Sequence, residues 1–413
     1  MFRRWGASIV GIVLAVTVGV APAAADPIRD RQYWLTDYGV TTAWATSRGA
    51  GVTVAVIDTG VDGSHPDLSG AVVGGMDASG VGRADGQRPV GAVSPEHGTM
   101  VASLLAGRGA SGGGVIGVAP EANILSLSVG FGVGATDSDE QIARAVRWAA
   151  DHGAQVINMS LTRNTLDWPE SWDEAFGYAM SKDVVIVAAA GNRSSGTTQV
   201  GAPATMPGVL TVAGVDRKGS ASFNASSQGI SISVAAPSEE LVGATPGGGY
   251  AEWGGTSGAT PLVAGVVALV RSAHPHLSAG NVINRITSTA RAVPGAGSAA
   301  IYGNGLVDAA AAVAAHVSEV STSPAEQLQE WVRVYRRADA PDALSGAVEA
   351  FPAPMEPPSS VAPPVPPPSW KWRTAFREIG IPVAFFTFVA ASTTVWVVWV
   401  VRSFRRRGAS SRL

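Results

Sequence analysis

Short apolar runs and amphipathic segments alternate along residues 51–315. The apolar runs are rich in Val and Ile and hydrophobic at most positions, as is typical of parallel strands buried on both faces. They occupy residues 52–58, 123–129, 154–161, 184–191 and 209–215. Residues 139–153 and 172–183 carry apolar residues at helical spacing, and Gly153 marks the end of the first helix. This alternation predicts an α/β fold, a doubly wound and mostly parallel sheet with helices on both faces.

Three polar residues stand where predicted elements begin or end. Asp58 ends the first strand, His97 opens a helical segment over 97–107, and Ser257 opens another over 259–273. In open parallel sheets, function lies at the carboxyl ends of the strands. A serine hydroxyl needs an imidazole to take its proton, and the imidazole needs a carboxylate to fix its tautomer and stabilise its charged form. These three residues can therefore meet as a nucleophile, a base and an orienting acid.

Acyl transfer also needs donors for the oxyanion of its tetrahedral intermediate. Asn192 follows the strand at 184–191 and can offer its side-chain amide, while the backbone N–H of Ser257 can be the second donor. Pro261 is expected in the first turn of the last helix, where its missing N–H costs little. Taken singly, these residues have ordinary alternatives, because Asp58 can cap a turn, His97 can lie in the core and Asn192 can form a turn.

The segments AVIDTG, HGTMVASLLAG, AAAGN and GTSGATPLVAG follow one another in this order along the chain. They resemble the four signature blocks of the subtilisin-like serine peptidases, the subtilase or S8 family. The resemblance covers roughly residues 45–312. It implies Asp58, His97 and Ser257 as the catalytic triad and Asn192 as the oxyanion donor of a serine endopeptidase that works through an acyl-enzyme.

The resemblance also implies where a substrate binds. Family substrates add as a strand along the segments that match residues 126–132 and 159–162. The candidate substrate-binding residues are Ser126, Ser128, Gly130, Ser160, Leu161 and Thr162. Two positions depart from the usual family pattern, because Thr162 stands where many relatives have glycine and Gly258 where they have a bulky apolar residue. We expect Trp253 or Leu262 to fill the space beside Gly258, so that activity survives.

Composition narrows the possible sites and partners. The 413 residues carry a net charge of −3, which gives no reason to expect a nucleic acid as partner. The absence of cysteine excludes disulfides, thiolate catalysis and Cys-zinc sites. Asp62, Asp67 and Asp85 could offer oxygen ligands to calcium, but no EF-hand pattern supports such a site. We predict neither a metal nor a cofactor, and a structural role for His65.

The two ends of the chain predict a membrane location. Residues 1–25 combine a basic start, an apolar stretch and an A-x-A pattern, which favours a removable signal peptide over an N-terminal anchor. Residues 379–401 carry no charge and can span a bilayer, which favours a transmembrane helix over a buried one. The basic tail at 402–413 favours a cytoplasmic C-terminus. We therefore predict a single-pass protein of the cell membrane with an extracytoplasmic catalytic domain.

Further segments connect these parts. Residues 26–50 are expected to wrap around the catalytic domain of residues 51–315, with Trp34 and Trp44 as hydrophobic anchors. Residues 316–350 form a connector with a possible short helix from about Pro324 to Arg337, capped by Ser323. The proline-rich residues 351–370 are typical of a semi-rigid stalk.

This arrangement resembles the mycosins, the membrane-anchored subtilases associated with type VII secretion. The resemblance implies limited proteolysis of exported proteins, with protein substrates and membrane proteins of a secretion apparatus as partners. The alternative is a subtilase-fold scaffold or interaction protein of a secretion complex with little or no proteolytic activity. The four motif residues favour the enzyme.

Overall fold

The predicted apolar runs form the middle of a seven-stranded sheet in the computed structural model, which describes residues 26–110, 113–133, 136–293 and 298–336. The strands are β1 (Thr53–Asp58), β2 (Val72–Asp77), β3 (Arg108–Ala110), β4 (Gly113–Ile116), β5 (Asn123–Ser128), β6 (Val156–Met159), β7 (Val185–Ala189), β8 (Leu210–Val215), β9 (Ile232–Pro237), β10 (Leu241–Thr245) and β11 (Gly249–Trp253). The sheet has the order β2-β5-β1-β6-β7-β8-β9, and every adjacent pair is parallel.

Helices connect and cover these strands. They are α1 (Trp34–Asp37), α2 (Val40–Ala43), α3 (His97–Ala106), α4 (Ser138–Asp151), α5 (Glu170–Ser181), α6 (Thr256–Ala273), α7 (Ala279–Ser288), α8 (Ala299–Tyr302), α9 (Ala309–Ala314) and α10 (Pro324–Tyr335). Helices α3 and α6 contact each other, and α6 also packs along β6 to β9. Because β1 pairs with β5 on one side and β6 on the other, the order of strands reverses beside it. A doubly wound sheet places its functional crevice at such a point.

The predicted α/β fold with a mostly parallel sheet is correct, but the edges of the sheet differ from the prediction. Strands β2 and β9 extend the sheet on its two sides, and the pairs β3–β4 and β10–β11 form two small antiparallel ribbons. The predicted central strands are present with their ends shifted by at most two residues.

The N-terminal segment packs against this body through side chains that bond to β4 and the loop after it. Gln32 is buried, and its amide exchanges two hydrogen bonds with the backbone of Ile116, at 2.8 and 3.0 Å. The Trp44 indole donates to the Val118 carbonyl at 2.8 Å, and Trp34 is almost completely buried. At the other end, Ser323 accepts a hydrogen bond from the Glu326 N–H and caps α10.

One helix of the described ranges, α6, has the length and hydropathy that crossing a membrane requires, and 83% of it is buried inside the protein. It is a core helix of the domain, because it packs along four strands of the sheet. The predicted signal peptide (1–25), stalk (351–370), transmembrane helix (379–401) and basic tail (402–413) lie outside the described residues.

Candidate active site

The carboxylate of Asp58 stands at the carboxyl end of β1, the strand where the sheet order reverses. Its side chain is almost fully buried. Oδ1 accepts hydrogen bonds from the Thr59 N–H at 2.7 Å and from His97 Nδ1 at 2.8 Å, and Oδ2 lies 3.0 Å from the same nitrogen. The carboxylate therefore holds the imidazole at Nδ1 and leaves Nε2 to face another group.

His97 is the first residue of α3, and the chain around it explains why it meets Asp58. The hydroxyl of Thr59 accepts a hydrogen bond from the Gly98 N–H at 3.0 Å and donates to the Pro95 carbonyl at 2.9 Å. This side chain thus ties the end of β1 to the start of α3. Gly98 has no room for a side chain, because a Cβ would clash with the Gly60 carbonyl. Thr59 is a functional residue that sequence reasoning missed, although it follows Asp58 directly.

Opposing influences set the pKa of His97. Burial is the strongest and lowers the pKa, because a buried imidazolium loses its hydration. The charge of Asp58, its hydrogen bond and the charge of Glu96 act in the other direction and outweigh burial. The pKa of His97 is therefore raised above its ordinary value of 6.5.

Ser257 is the second residue of α6 and exchanges two hydrogen bonds with Ser160. Its hydroxyl donates to the Ser160 carbonyl at 3.1 Å, and the Ser160 hydroxyl donates to the Ser257 carbonyl at 2.9 Å. Pro261 is not in the first turn as predicted, because α6 begins at Thr256. In an α-helix the N–H of residue 261 would bond to the carbonyl of residue 257, and proline lacks that N–H. The Ser160 hydroxyl takes its place.

The three predicted triad residues are thus joined in two groups. Asp58 and His97 are hydrogen-bonded to each other, and Ser257 is hydrogen-bonded to Ser160. Within the described ranges, His97 Nε2 has no hydrogen-bond partner. Because the Ser257 hydroxyl donates to the Ser160 carbonyl, it must reorient to donate to His97 Nε2.

Asn192 follows β7 and lies against the start of α6. Its carbonyl oxygen accepts hydrogen bonds from the Thr256 N–H at 2.8 Å and the Thr256 hydroxyl at 2.9 Å. These bonds fix the amide group and leave its Nδ2 donor without a partner in the part of the chain that the structure describes. Gly255 lies beside Nδ2, with φ at +120° and room for no Cβ. Thr256, which sequence reasoning missed, therefore orients the predicted oxyanion donor.

The space beside Gly258 is filled mainly by Leu241 of β10. A Cβ at position 258 would clash with Leu241 Cδ1 and would lie 3.6 Å from the Trp253 ring. The expectation that Trp253 or Leu262 fills this space is therefore wrong, because Trp253 only borders it at contact distance and Leu262 is not among the nearest atoms. The fully buried Leu241 could not be predicted here, because it reaches Gly258 only through the β10–β11 pairing that sets it opposite Trp253.

The structure corrects the predicted substrate-binding residues Ser126 and Ser128. Both side chains are fully buried in β5, which is paired with β1 and β2 on its two sides, so no substrate strand can add there. Gly130 is also buried, and its N–H donates to the Gln141 side chain.

Leu161 and Thr162 are half-buried, and their N–H groups donate no hydrogen bond to any other described residue. That edge offers free donors to an added strand, and Ser160 belongs to the contact with Ser257.

His65 is fully buried, and Nδ1 accepts from the Asp67 N–H while Nε2 lies 3.1 Å from the Gly249 carbonyl. Asp67 accepts hydrogen bonds from the Ala110 and Val115 N–H groups. In the ranges that the structure covers, no group of three His, Cys, Asp or Glu side chains could hold a metal ion.

An open cleft of about 510 Å³ lies beside Asn192. Trp253, Gly254 and Gly255 form part of its wall, which thus comes within two residues of Ser257 along the chain. Three carboxylates also line it, those of Glu239, Glu240 and Glu252. The cleft therefore borders Asn192, the predicted oxyanion donor, and has room for part of a peptide.

The profile of the subtilase family, Peptidase S8, matches residues 49–305 and so includes every candidate site residue. The chain belongs to the subtilase family. The subtilases are serine endopeptidases. Thermitase of Thermoactinomyces vulgaris is 36% identical over 287 residues, which cover 68% of this chain and 96% of thermitase.

Two other subtilases extend the comparison. Fervidolysin of Fervidobacterium pennivorans is 35% identical over 300 residues, but the match covers 65% of this chain and only 42% of fervidolysin. The crystal structure of MycP1 from the ESX-1 type VII secretion system superposes with a TM-score of 0.60 and 32% identity, covering 73% of this chain and 88% of MycP1. The expected similarity to the mycosins is thus found in the fold as well as in the sequence.

Proposed function

We propose that this subtilase is an active serine endopeptidase in which Ser257 is the nucleophile, His97 the general base and Asp58 the group that orients His97. The hydrogen bond of 2.8 Å between Asp58 Oδ1 and His97 Nδ1 carries the proposal, because it selects the tautomer whose Nε2 can accept a proton. Nδ2 of Asn192 and the backbone N–H of Ser257 act as the oxyanion donors.

The reaction starts when the Ser257 hydroxyl turns from the Ser160 carbonyl toward His97 Nε2. Nε2 takes the proton as Oγ attacks the carbonyl carbon of the scissile peptide bond, and the resulting oxyanion accepts hydrogen bonds from Asn192 and Ser257. The imidazolium then gives its proton to the leaving amine, and the acyl-enzyme remains. Water, deprotonated by His97, attacks the ester and releases the acid, and Oγ regains a proton.

The alternative, a scaffold with little activity, is favoured by one observation. The Ser257 hydroxyl donates to the Ser160 carbonyl and makes no hydrogen bond to His97. A resting serine of this kind still supports the enzyme, because catalytic hydrogen bonds are often long or poorly aligned without substrate and tighten when substrate binds.

A fluorophosphonate probe separates the two functions. We expect the purified full chain to be labelled and Ser257→Ala to remain unlabelled, because the probe reacts only with an activated serine hydroxyl. Ser181→Ala, an exposed serine at the end of α5, is the matched control and should be labelled like the wild type. If the folded wild-type protein is never labelled, the proposal of an active peptidase is refuted and the scaffold function remains.

We further propose that the protein is anchored in the cell membrane by residues 379–401 and cleaves exported proteins, with membrane proteins of a secretion apparatus as partners. The sequence segments at the two ends and the similarity to MycP1 from the ESX-1 type VII secretion system support this proposal. Deletion of residues 379–413 should release the protein from the membrane fraction. In a deletion strain, Ser257→Ala should fail to restore the processing of an exported protein, and full processing by this variant would contradict the proteolytic role.

A further inference from the structure

The indole of Trp253 lies against the imidazole of His97. The ring centroids are 5.5 Å apart and the ring planes are 80° apart, which is an edge-to-face arrangement. Aromatic pairs favour this geometry at such distances. Trp253 is the last residue of β11 and comes four residues before Ser257, so one side chain links the strand that leads to the nucleophile with the predicted base.

Gly243 makes room for the indole, and Gly258 borders it at ordinary contact distance. At Gly243 of β10, a Cβ would lie 2.9 Å from the Trp253 Nε1 atom and 3.0 Å from Met100 Cβ, which is closer than a real Cβ tolerates. At Gly258, a Cβ would lie 3.6 Å from the Trp253 ring and would displace Leu241, the residue opposite Trp253 in the β10–β11 register. The indole is therefore held between β10, α3 and α6.

The indole N–H gains nothing from this position. Nε1 is buried and has no hydrogen-bond partner among the residues that the structure describes. A buried donor without a partner is unfavourable, so the contacts of the ring and not its polar atom hold Trp253 here.

The hydrogen bond to Asp58 fixes only one edge of the imidazole. Its other edge carries Nε2, which has no hydrogen-bond partner within the described ranges while Ser257 bonds to Ser160. A ring held at a single edge can tilt about that bond. The Trp253 ring meets His97 from a second direction and restricts this tilt, and it covers part of a side chain that is 23% exposed.

We infer that Trp253 is a positioning residue that holds the His97 imidazole in line with Ser257 and shields it from water. The inference rests on the proposed function, since it assigns to Trp253 a role in the activity of His97 as base. The charges that act on His97 come from Asp58 and Glu96, and Trp253 adds none. Trp253 therefore acts by fixing the orientation of the His97 imidazole and by limiting its contact with water.

The test compares Trp253→Leu and Trp253→Phe in the full chain, with the second-order rate of fluorophosphonate labelling measured as a function of pH. Trp253→Leu should label about tenfold more slowly, because a small misplacement of a catalytic group is costly. Its pH midpoint should move upward, because burial lowers the pKa of His97 and the variant admits water. Trp253→Phe restores a ring and should return both the rate and the midpoint most of the way to the wild-type values.

A second Trp–His pair supplies the matched control. Trp148 stacks on His152 at the end of α4, with ring centroids 3.6 Å apart, and this pair precedes β6 at the amino edge of the sheet, away from the candidate site. Trp148→Leu makes the same chemical change and should leave both readouts unchanged. If Trp253→Leu does not fold, as judged by circular dichroism, Trp253→Met carries the same expectation, because its flexible side chain fills irregular space.

The outcomes separate the inference from the proposed function. If the wild type is never labelled, the proposed function fails and the inference fails with it. If the wild type is labelled, but a folded Trp253→Leu or Trp253→Met variant has the same rate and the same pH midpoint, the positioning role alone is overturned. A lower rate with an unchanged midpoint that Trp253→Phe does not restore also overturns it, because a merely structural defect would give that result.

Discussion

Ser160 and Ser257 exchange two hydrogen bonds, each through its hydroxyl and its carbonyl, at 3.1 and 2.9 Å. The pair joins the residue that follows β6 to the start of α6. One bond gives the Ser257 hydroxyl a defined direction, and the other satisfies a carbonyl that Pro261 leaves without its helical donor. A helix-breaking residue is therefore tolerated in α6 because a side chain from another element replaces the missing N–H.

Ser160→Ala should lower stability more than it lowers activity. The variant leaves the Ser257 carbonyl without its donor, and because this contact is partly buried the cost should be at most about 1–3 kcal/mol. The backbone carbonyl that receives the Ser257 hydroxyl is unchanged, so fluorophosphonate labelling of the folded protein should stay close to the wild-type rate. Urea unfolding and labelling rates measure the two effects.

Pro261→Ala provides the control, because it restores an N–H that can bond to the Ser257 carbonyl. Ser160→Ala should therefore destabilise the Pro261→Ala background less than it destabilises the wild type, and the difference is the coupling energy of a double-mutant cycle. Equal destabilisation in both backgrounds would show that the Ser160 hydroxyl does not replace the helical donor.

The central part of the fold could be predicted from the sequence, because strands buried on both faces are apolar at almost every position. The edges of the sheet could not. Strand β2 contains Gly74 and Gly75 and is only partly buried, so its sequence shows no strand pattern. Gly75 is needed there because a Cβ would clash with the Ser126 carbonyl of β5, a constraint that comes from strand pairing and not from local preference.

The residues of the candidate site also divide into those that the sequence predicts and those that only the fold brings together. Asp58, His97, Asn192 and Ser257 could be proposed because each stands at the end or the start of an element and the resemblance named all four. Thr59 and Thr256 could not be proposed, because they act through hydrogen bonds to groups that the fold brings together. Ser126 and Ser128 were wrong as substrate contacts because strand β5 is internal in the sheet, which the sequence does not reveal.

Gly258→Met should destabilise the protein, and removal of the Leu241 side chain should relieve part of that effect. Leu241 already occupies the space that a residue at 258 would take, so an added side chain overpacks the core at a typical cost of about 1–3 kcal/mol. Leu241→Ala alone should cost about 2–5 kcal/mol through the cavity it leaves. The double variant should lose less stability than the two single variants lose together.

Urea unfolding of the four proteins measures this coupling, and Leu262→Ala in place of Leu241→Ala is the matched control. Leu262 is also almost fully buried in α6, but its atoms are not among those nearest to Gly258. Gly258→Met should therefore show no rescue in the Leu262→Ala background. Additive effects with Leu241→Ala would mean that the two positions do not share one space.

The labelling rate should rise with pH with a midpoint above 6.5, because the pKa of His97 is raised and only its neutral form can accept the Ser257 proton. Asp58→Asn should lower this midpoint, since burial remains while the carboxylate that opposes it is lost, and the rate should fall by about 10²–10⁴-fold. Glu96→Gln should lower the midpoint by less, because Glu96 is the weakest of the influences on His97. If Glu96→Gln lowered the midpoint more than Asp58→Asn does, the influences assigned to the pKa of His97 would be wrong.

The raised pKa of His97 also makes stability depend on pH. Stability should fall as the pH rises, whereas the labelling rate should increase. Since the folded pKa of His97 lies above its unfolded value, the protonated imidazole stabilises the protein fully below about 6.5, and this contribution is lost as the pH rises through the folded pKa. Unfolding free energies of the wild type and His97→Gln should therefore differ more at pH 6 than at pH 9. A difference that grows with pH would show that the pKa is lowered instead.

Thr256→Val should lower the labelling rate about tenfold, less than the loss of about 10²–10³-fold expected for Asn192→Ala. The hydroxyl of Thr256 donates to Asn192 and accepts from the buried Gly191 N–H at 3.1 Å, so valine loses both bonds while it keeps the shape of the side chain. The Thr256 N–H still holds the Asn192 carbonyl, which is why the loss should be partial. Thr256→Ser keeps the hydroxyl and should label like the wild type.

The double variant Asn192→Ala with Thr256→Val decides whether Thr256 acts through Asn192. If it does, the double variant should label no more slowly than Asn192→Ala alone, because an absent amide cannot be misoriented. Losses that multiply would mean that Thr256 acts on Ser257 directly, through the first turn of α6 that both residues share. Because the hydroxyl also pairs with Gly191, unfolding in urea must be measured for each variant, and labelling rates are compared only between proteins that are folded under the assay conditions.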